Sequence, residues 1–286
     1  MRGIYEGSLS GLEIHFPGPD EPAGYLLRLG SDLRLPLNGV IGCGVSIDYQ
    51  GVIVCVHCHS QGKKSYGGGY CYACFSTLAR CDLCVVSPDR CHYHLGTCRE
   101  PAWGEAFCMQ PHVVYLANTS GIKVGITRRG RERKRWLDQG AIQGLVILTA
   151  ESRRAAGLAE AAIAGLIPDR TNWRKMLRAD VPELDLTAVR DRVQAAALDF
   201  PTDVSRARDQ QVVRLRYPLQ QREPPGQTFL LNQGPVRGNL LGMKGQYLVL
   251  SSGVFNVRQH AGYQVRVEIG EAFEDSPAEN GQIGLF

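Results

Sequence analysis

The sequence predicts an α+β protein with a central three-stranded sheet and helices, preceded by a zinc-binding region and flanked by small β-rich, barrel-like modules. Nine of the ten cysteines lie between residues 55 and 108. Alternating apolar residues punctuated by glycine and proline fill both ends of the chain, and strand-like and helical patterns lie between them. The expected modules are residues 1–54 (β-rich), 55–111 (zinc-binding), 112–200 (central domain) and 210–270 (β-rich), with a flexible tail at 271–286.

Length and composition set the broad class of the protein. The chain has 286 residues, of which 44% are hydrophobic, so it can bury more than one core. It has no apolar run long enough to cross a bilayer, and its first residues lack the apolar stretch of a signal peptide. We therefore expect a cytoplasmic protein with reduced thiols and no membrane partner. The pattern does not indicate an oligomeric state.

The two β-rich ends share short motifs. Strands are expected at residues 7–14, 25–29, 33–37 and 44–54, and again from residue 212 onward. Two explanations are open: a duplicated small barrel, which would suit a scaffold that grips an extended ligand, or chance similarity among glycine-punctuated strands. The matching segments are 7–11 with 238–242, 24–27 with 246–249, and 37–38 with 255–256.

The first four cysteines of the cluster have the spacing of a zinc site. Cys55-x2-Cys58 and Cys71-x2-Cys74 each place two thiolates on a tight turn, and two such pairs complete a tetrahedral cage. The alternative, a disulfide framework, requires an oxidising compartment. Because the glycine-rich segment 67–69 cannot build a core of its own, the zinc is expected to be structural.

A second zinc site is expected in the remaining cysteines. Cys81 and Cys84 would supply one pair, and two of Cys91, His94 and Cys98 would complete the cage. Cys108 and His112 could form a third site or belong to the next domain, and the role of His92 stays open. Cys43 is expected to be a small buried hydrophobe. The predicted zinc ligands are Cys55, Cys58, Cys71, Cys74, Cys81, Cys84, Cys91 and Cys98.

The centre of the chain has a strand, turn and strand pattern followed by helices. Residues 112–117 and 122–127 form a hairpin candidate, residues 131–138 a basic helix, and residues 142–149 a third strand. Ser152 can cap a helix that Pro168 would end, and residues 186–199 form another helix. The apolar face of the Ser152 helix is expected to contain Ala155, Ala159, Ala162, Ile163 and Leu166.

The local charge is more informative than the formal net charge of +4. Residues 123–135 hold seven basic residues and a single acidic one, Glu132. Such a run is either a solvated face or a surface for phosphates. Trp136 is expected in the core, whereas Trp173 could fill a core or stack on a base. The predicted nucleic-acid contacts are Arg128, Arg129, Arg131 and Arg133.

The ordered motifs of this segment resemble a known domain. Val113-Val114-Tyr115, followed by Lys123-Val124-Gly125-Ile126-Thr127-Arg128, resembles the paired signature of the GIY-YIG endonuclease domain over residues 112–180. The wider pattern, with CHYHLGTCREPAWGE at 91–105 and RWLDQGA at 135–141, resembles a bacterial family of uncharacterised zinc-containing proteins with this domain in the middle.

The resemblance implies hydrolysis of phosphodiester bonds in DNA or RNA, with Tyr115, Lys123, Arg135 and Glu160 as catalytic residues. Glu160 would hold a catalytic Mg²⁺ or Mn²⁺, and Arg135 would stabilise the charge that grows on the phosphate. Tyr115 would activate or orient water. Because a phenol is a poor base near its usual pKa of about 10, a nearby cation would have to favour its ionised form.

Each catalytic candidate also has a structural interpretation. Lys123 stands where the second motif of the domain has tyrosine, so it could contact phosphate or simply face solvent. A four-residue turn would pair Tyr115 with Val124, and a slip of one residue would be needed to face Lys123. Tyr115 could be a core residue, and Glu160 an exposed helix residue.

Three functions remain open from the sequence. A divalent-metal-dependent endonuclease needs Tyr115, Arg135 and Glu160 to converge on one cleft. A nucleic-acid-binding or assembly protein without turnover needs only the basic surface. A zinc-stabilised hub for protein partners would expose an apolar patch.

Overall fold

The computed structural model describes residues 2–167, 170–196, 198–220, 223–224 and 226–274. Pro168 and residues 275–286 of the predicted tail lie outside the described residues. None of the helices in the described part of the chain has the length and apolar character needed to span a bilayer.

Strands dominate both ends of the described chain, and the α-helices lie between them. The first half of the chain has β1 (Gly3–His15), β2 (Gly24–Leu29), β3 (Leu33–Pro36), β4 (Gly44–Val54), β5 (Gln61–Gly62), α1 (Tyr72–Thr77), α2 (Pro101–Phe107), β6 (His112–Asn118), β7 (Ile122–Arg128) and α3 (Glu132–Asp138). The second half has β8 (Gln143–Ala150), α4 (Arg153–Ala164), α5 (Trp173–Met176), α6 (Leu186–Ala195), β9 (Val204–Arg206), β10 (Val213–Arg214), β11 (Val236–Lys244), β12 (Tyr247–Leu250), β13 (Gly253–Asn256) and β14 (Tyr263–Gly270).

The strands form two antiparallel sheets, so the α+β class is confirmed. The larger sheet has nine strands in the order β13-β12-β11-β4-β14-β1-β2-β3, with β5 paired to β4. The smaller has five strands in the order β10-β8-β6-β7, with β9 paired to β8. The central sheet was expected to have three strands, and β9 and β10 extend it because they add to the free edge of β8.

The nine-stranded sheet has an internal pseudo-two-fold symmetry. Each half contains a long strand, two short strands, a short 3-10 turn and a second long strand. The strand order reads the same from both ends when β1 to β4 are exchanged with β11 to β14. Ile47 of β4 lies opposite Val267 of β14, and the pairs around them are related by the same exchange.

Equivalent details repeat in both halves. The register shifts between Leu9 and Gly11 in β1, and between Leu240 and Gly242 in β11. Gly262 donates its N–H to Leu9 O at 2.8 Å, and Gly42 donates to Leu240 O at 2.7 Å. The first matching motif is therefore confirmed as a structural repeat.

In the other two motif pairs, the residues that are structurally equivalent differ from the residues that the sequence matches. Leu27 in β2 pairs with Leu12, the residue after Gly11. Leu248 in β12 pairs with Met243, the residue after Gly242, so Leu27 and Leu248 are equivalent. This places the second match one residue away from the equivalence expected from the sequence. In the third match, Leu37 corresponds to Val257, since each immediately precedes a 3-10 turn.

The two β-rich ends are halves of one sheet and not separate modules. Strands β4 and β14 pair with each other, and their other edges pair with β11 and β1. Either half alone would leave strand edges with unpaired N–H and C=O groups. In the described residues the strand path ends at β3 and β13 without closing, so the expected barrels are not formed.

The central sheet has two buried faces because side chains alternate along its strands. Val114 and Leu116 pack with Ala156, Ala159 and Ile163 of α4. On the opposite face, three residues of β6 and two of α3 join the core of the nine-stranded sheet; they are Val113, Tyr115, Ala117, Trp136 and Leu137. The expected core position of Trp136 is confirmed.

Helix α4 begins where the sequence predicts and ends earlier. Ser152 Oγ accepts a hydrogen bond from Ala155 N at 3.2 Å, so the predicted N-cap is confirmed. The helix ends at Ala164, and Leu166 beyond it is 47% exposed. Leu166 was wrongly placed on the apolar face, because the helical periodicity does not continue past Gly165.

The register of the β6–β7 hairpin differs from the expected one. Tyr115 pairs with Gly125, and Lys123 pairs with Ala117. The turn between Asn118 and Ile122 contains three residues rather than four. A Cβ atom on Gly125 would lie 2.5 Å from the Tyr115 hydroxyl oxygen and 2.6 Å from Cζ. The Tyr115 ring therefore needs a glycine opposite it.

We expect Gly125→Ala to destabilise the protein by about 1–3 kcal/mol, the range for overpacking a closed site. The added methyl group meets a tyrosine ring that is fully buried and cannot move aside. Chemical denaturation checks this, with Gly39→Ala as the control because nothing lies within 4 Å of that position. Equal stability of the two variants would contradict the packing described.

Candidate functional site

The first four cysteines come together at the end of β4. Cys55 directly follows β4, Cys71 is the N-cap residue of α1, and Cys74 lies in the first turn of that helix. The four Sγ atoms all lie within 4.8 Å of one another, and those of Cys58 and Cys71 are 3.7 Å apart. The predicted clustering of this quartet is confirmed.

Backbone N–H groups donate hydrogen bonds to two of these sulfur atoms and so favour their thiolate forms, which bind cations. Cys71 N donates to Cys55 Sγ at 3.3 Å, and Cys74 N donates to Cys71 Sγ at 3.5 Å. Burial opposes ionisation of Cys55, but the backbone N–H groups, led by that of Cys58, lower the pKa of its thiol to about 6. Burial raises the pKa of the Cys74 thiol to about 12. One thiolate is therefore stabilised beside a thiol that keeps its proton until a metal displaces it.

The donor set fits zinc. All ten cysteines are free thiols, and four sulfur donors at tetrahedral spacing suit Zn²⁺ better than a hard cation. With four protein ligands the cage is closed, so the ion would hold the segment together. Bound there, zinc would join the end of β4 to α1.

Cys81 and Cys84, which were expected to supply one ligand pair, have different neighbours. The two residues lie in successive 3-10 turns, 79–81 and 83–85, with the extended residue Asp82 between them. Cys81 packs beside Cys55 and Cys74 of the first cluster. The donor atom of Cys84 instead groups with those of Asp82 and His92. The spacing alone could not distinguish these arrangements, because it does not fix the turn type.

Three other cysteines surround Cys84. Burial raises the pKa of the Cys84 thiol to about 11, and the nearby charges of Asp82, Cys91, Cys108 and Cys98 contribute in that order. Cys91 and Cys108 are themselves buried. Cys91 and Cys98, both predicted as ligands, are therefore neighbours of Cys84 but lie outside its group of three donors. His94 is exposed.

His112 is a packing residue at the start of β6. Its side chain is completely buried, and Nδ1 lies 2.6 Å from Gln110 O, so this nitrogen carries the proton that it donates. Nε2 has no hydrogen-bond partner. Burial, aided by the charges of Arg153 and Arg128, lowers the pKa of His112 to about 4. These contacts are those of a residue that packs at the start of a strand.

Tyr115 lies inside the core that joins the two sheets. Its ring packs against Gly125 and contacts the Trp136 ring edge-on, with the two ring centroids 5.9 Å apart. The hydroxyl donates to Gln139 Oε1 at 2.9 Å. Burial raises the pKa of this phenol, although the nearby Arg135 guanidinium opposes the shift. Tyr115 is therefore a neutral hydrogen-bond donor at neutral pH.

Arg135 on α3 and Glu160 on α4 both lie near the Tyr115 phenol. The charges of both side chains act on the Tyr115 phenol, and both act on the guanidinium of Arg153. Arg135 is exposed on α3, and Glu160 is half-buried on α4. Lys123 lies on the same sheet face as Tyr115 but is only 7% exposed. It is not the solvent-facing strand residue that the sequence allowed.

Arg153 connects this site to the cysteine-rich region. Its backbone N–H donates to Cys108 O at 2.7 Å, and its Nη2 donates to Val85 O at 2.6 Å. Burial lowers the pKa of this guanidinium, and the Cys108 thiol opposes the shift. Sequence reasoning missed both Arg153 and Gln139, because nothing in the local pattern marks a residue whose partner is distant in the chain.

The predicted phosphate-contacting arginines surround the turn between β7 and α3. Arg129, Arg131 and Arg133 are exposed, whereas Arg128 is half-buried with its guanidinium 4.5 Å from the centroid of the Phe107 ring. A surface cavity of about 420 Å³ is lined by seven residues without a carboxylate: Ala106, Gln110, Pro111, Arg128, Arg129, Gly130 and Arg131. We call this cavity the arginine pocket.

Comparison with known proteins gives a family but no activity. The family described as "Protein of unknown function (DUF2797)" matches residues 42–265, well over half of the chain. The chain belongs to the DUF2797 family. No curated protein and no solved structure matches this DUF2797 chain. The match agrees with the expected resemblance to an uncharacterised family. The description of the family does not mention a nuclease.

We expect His112 to make this DUF2797 protein less stable as the pH falls from about 6.5 to about 4. Over that interval the unfolded chain binds a proton at His112 and the folded chain does not, so the free energy of unfolding decreases with decreasing pH. The limiting slope is about 1.4 kcal/mol per pH unit.

Denaturation of wild type and His112→Asn across this pH range provides the measurement. The asparagine can still donate to Gln110 O but does not titrate, so the profile of the variant should be flatter. Parallel profiles would show that His112 does not contribute.

Proposed function

We propose that the protein processes nucleic acid as a divalent-metal-dependent phosphodiester hydrolase with a GIY-YIG-like site. The observation that carries this proposal is the proximity of Arg135 and Glu160 to the Tyr115 phenol. The chain order of the elements, β6-β7-α3-β8-α4, also agrees with the order in which the resemblance places these residues.

The carboxylate and the guanidinium would have different roles in the reaction. Glu160 is the carboxylate that would hold Mg²⁺ or Mn²⁺, an ion that supplies a Lewis acid for phosphate oxygens and an activated water. Arg135 is exposed, so its guanidinium can contact the scissile phosphate and stabilise the charge developing on it. The burial of Glu160 beside Ala156 and Ile163 limits competition from solvent.

Tyr115 takes a different role from the one its motif implies. A buried phenol with a raised pKa is not a general base at neutral pH. Its hydroxyl holds Gln139, one turn after Arg135 on α3, and its ring fixes the distance between α3 and the hairpin. We assign it to positioning α3, which carries Arg135.

The arginine pocket supplies the binding surface. Arg129 and Arg131 are exposed on the turn that leads into α3, four to six residues before Arg135. Guanidinium groups attract the phosphate backbone of either DNA or RNA, and here they outnumber the neighbouring carboxylate of Glu132, which accepts from Gly130 N at 2.8 Å. A strand bound there would run towards Arg135.

One observation favours a second candidate, a nucleic-acid-binding protein without turnover. The Tyr115 hydroxyl is inaccessible to a substrate because the side chain is fully buried. A protein that keeps the fold for packing and the arginines for binding would have this arrangement. It would bind nucleic acid with the same salt dependence and would not cut it.

We expect wild-type protein with Mg²⁺ or Mn²⁺ to cleave at least one of single-stranded DNA, duplex DNA, branched DNA or RNA. Glu160→Gln should lower the rate by about 100-fold or more, the scale for losing one group that stabilises transition-state charge. Glu151→Gln, an exposed glutamate before α4, is the matched control and should retain the wild-type rate. Binding without cleavage of any substrate would exclude the hydrolase and leave the second candidate.

We expect Arg129→Ala/Arg131→Ala to weaken nucleic-acid binding. The slope of log affinity against log salt concentration should decrease by about 2, or about 1 for each lost phosphate contact. Fluorescence anisotropy titrations at several salt concentrations provide the measurement. Arg34→Ala/Arg266→Ala removes two exposed arginines from the nine-stranded sheet and serves as the control. If both double variants behave alike, the arginine pocket is not the binding surface.

A further inference from the structure

A second group of potential metal ligands lies outside the four-cysteine site. The donor atoms of Asp82, Cys84 and His92 all lie within 4.8 Å of one another. All three residues are half-buried, and the side chains of Asp82 and His92 are 13% and 28% exposed. Asp82 and Cys84 lie at and in the 83–85 turn, whereas His92 directly precedes the 93–95 turn, so the fold of this segment brings them together.

The side chain of Thr97 lies beside His92. Thr97 Oγ1 is 2.8 Å from His92 Nδ1 and 3.3 Å from His92 O. When the threonine hydroxyl donates to the carbonyl, which can only accept, Nδ1 donates to the hydroxyl. In that tautomer Nε2 presents a lone pair, the arrangement found in metal-binding histidines.

His92 Nε2 lies near a carboxylate. Asp82 Oδ2 lies 3.5 Å from His92 Nε2, too far for a good hydrogen bond. Arg99 Nε donates to Asp82 Oδ2 at 2.8 Å, and Arg99 is itself anchored by Phe75 O and Leu78 O. The carboxylate is thus held in place, and a carboxylate oxygen, a thiol sulfur and an imidazole nitrogen lie close enough together to share one ion. A cation between them would satisfy all three.

We propose that Asp82, Cys84 and His92 form a second metal site, with mixed oxygen, sulfur and nitrogen ligation, which binds Zn²⁺. This donor set suits a borderline metal, since a hard cation would reject the thiolate. Three protein ligands leave one tetrahedral position, for a water molecule or for a neighbouring thiol. The site differs from the second cage expected from the spacing of the cysteines, because it contains Asp82 and His92 and not Cys81.

The metal content of the full-length protein tests the proposal independently of any nuclease activity. Protein purified in the presence of zinc should hold two equivalents by mass spectrometry. His92→Ala should hold one, whereas His94→Ala, which changes an exposed histidine two residues away, should hold two. Cys81→Ser should also hold two. Cys58→Ser should lose the ion of the four-cysteine site and keep the other.

Cadmium substitution of the wild-type protein provides a measurement that does not depend on whether a variant folds. The ¹¹³Cd spectrum should contain two resonances, one typical of four sulfur ligands and one typical of mixed ligation. A single equivalent of zinc, or two four-sulfur resonances, would overturn the proposal. Loss of the second ion in Cys81→Ser would do the same, as would its retention in His92→Ala, which would make Asp82 and His92 an ion pair only.

Discussion

The antiparallel pairing of β4 with β14 is the contact on which the remaining structure depends. Ile47 and Val267 lie opposite each other at its centre, and both are completely buried. Because β4 belongs to the first half of the sheet and β14 to the second, this pairing brings the two ends of the chain together. Residues 55–235 are therefore an insertion between two symmetric halves, and the cysteine-rich region begins where β4 ends.

The position of the four-cysteine cluster follows from this pairing. Val54 N donates to Gly262 O at 2.7 Å, so the residue before Cys55 is fixed by the start of β14. The buried apolar core around the four cysteines is small and consists of Cys55, Cys74 and Leu78. Ligand bonds substitute for apolar burial in such a region. Large apolar side chains remain exposed on it, as a protein-interaction surface would require; they are Tyr72, Leu83, Val86 and Leu95.

The candidate phosphodiester site illustrates how packing changes the chemistry of a motif. Tyr115 occupies the motif position of a reactive phenol, but its ring fills the space between the two sheets and its hydroxyl is used by Gln139. Low polarity around a buried phenol stabilises the neutral form. Any reaction at this site must therefore depend on the exposed guanidinium of Arg135 and the carboxylate of Glu160.

The sequence by itself determined the local elements, because hydrophobic periodicity and turn residues act over a few positions. The strands β1 to β4, the hairpin, the Ser152 cap, the first cysteine quartet and one repeated motif were all readable from it. Only the tertiary structure decided which edges pair, so the union of the two β-rich ends was not predicted. It also decided the register of Tyr115 against Gly125, the grouping of Cys84 with Asp82 and His92, and the contacts of Arg153. These depend on contacts between residues far apart in the chain, and their geometry is fixed by packing that no local pattern records.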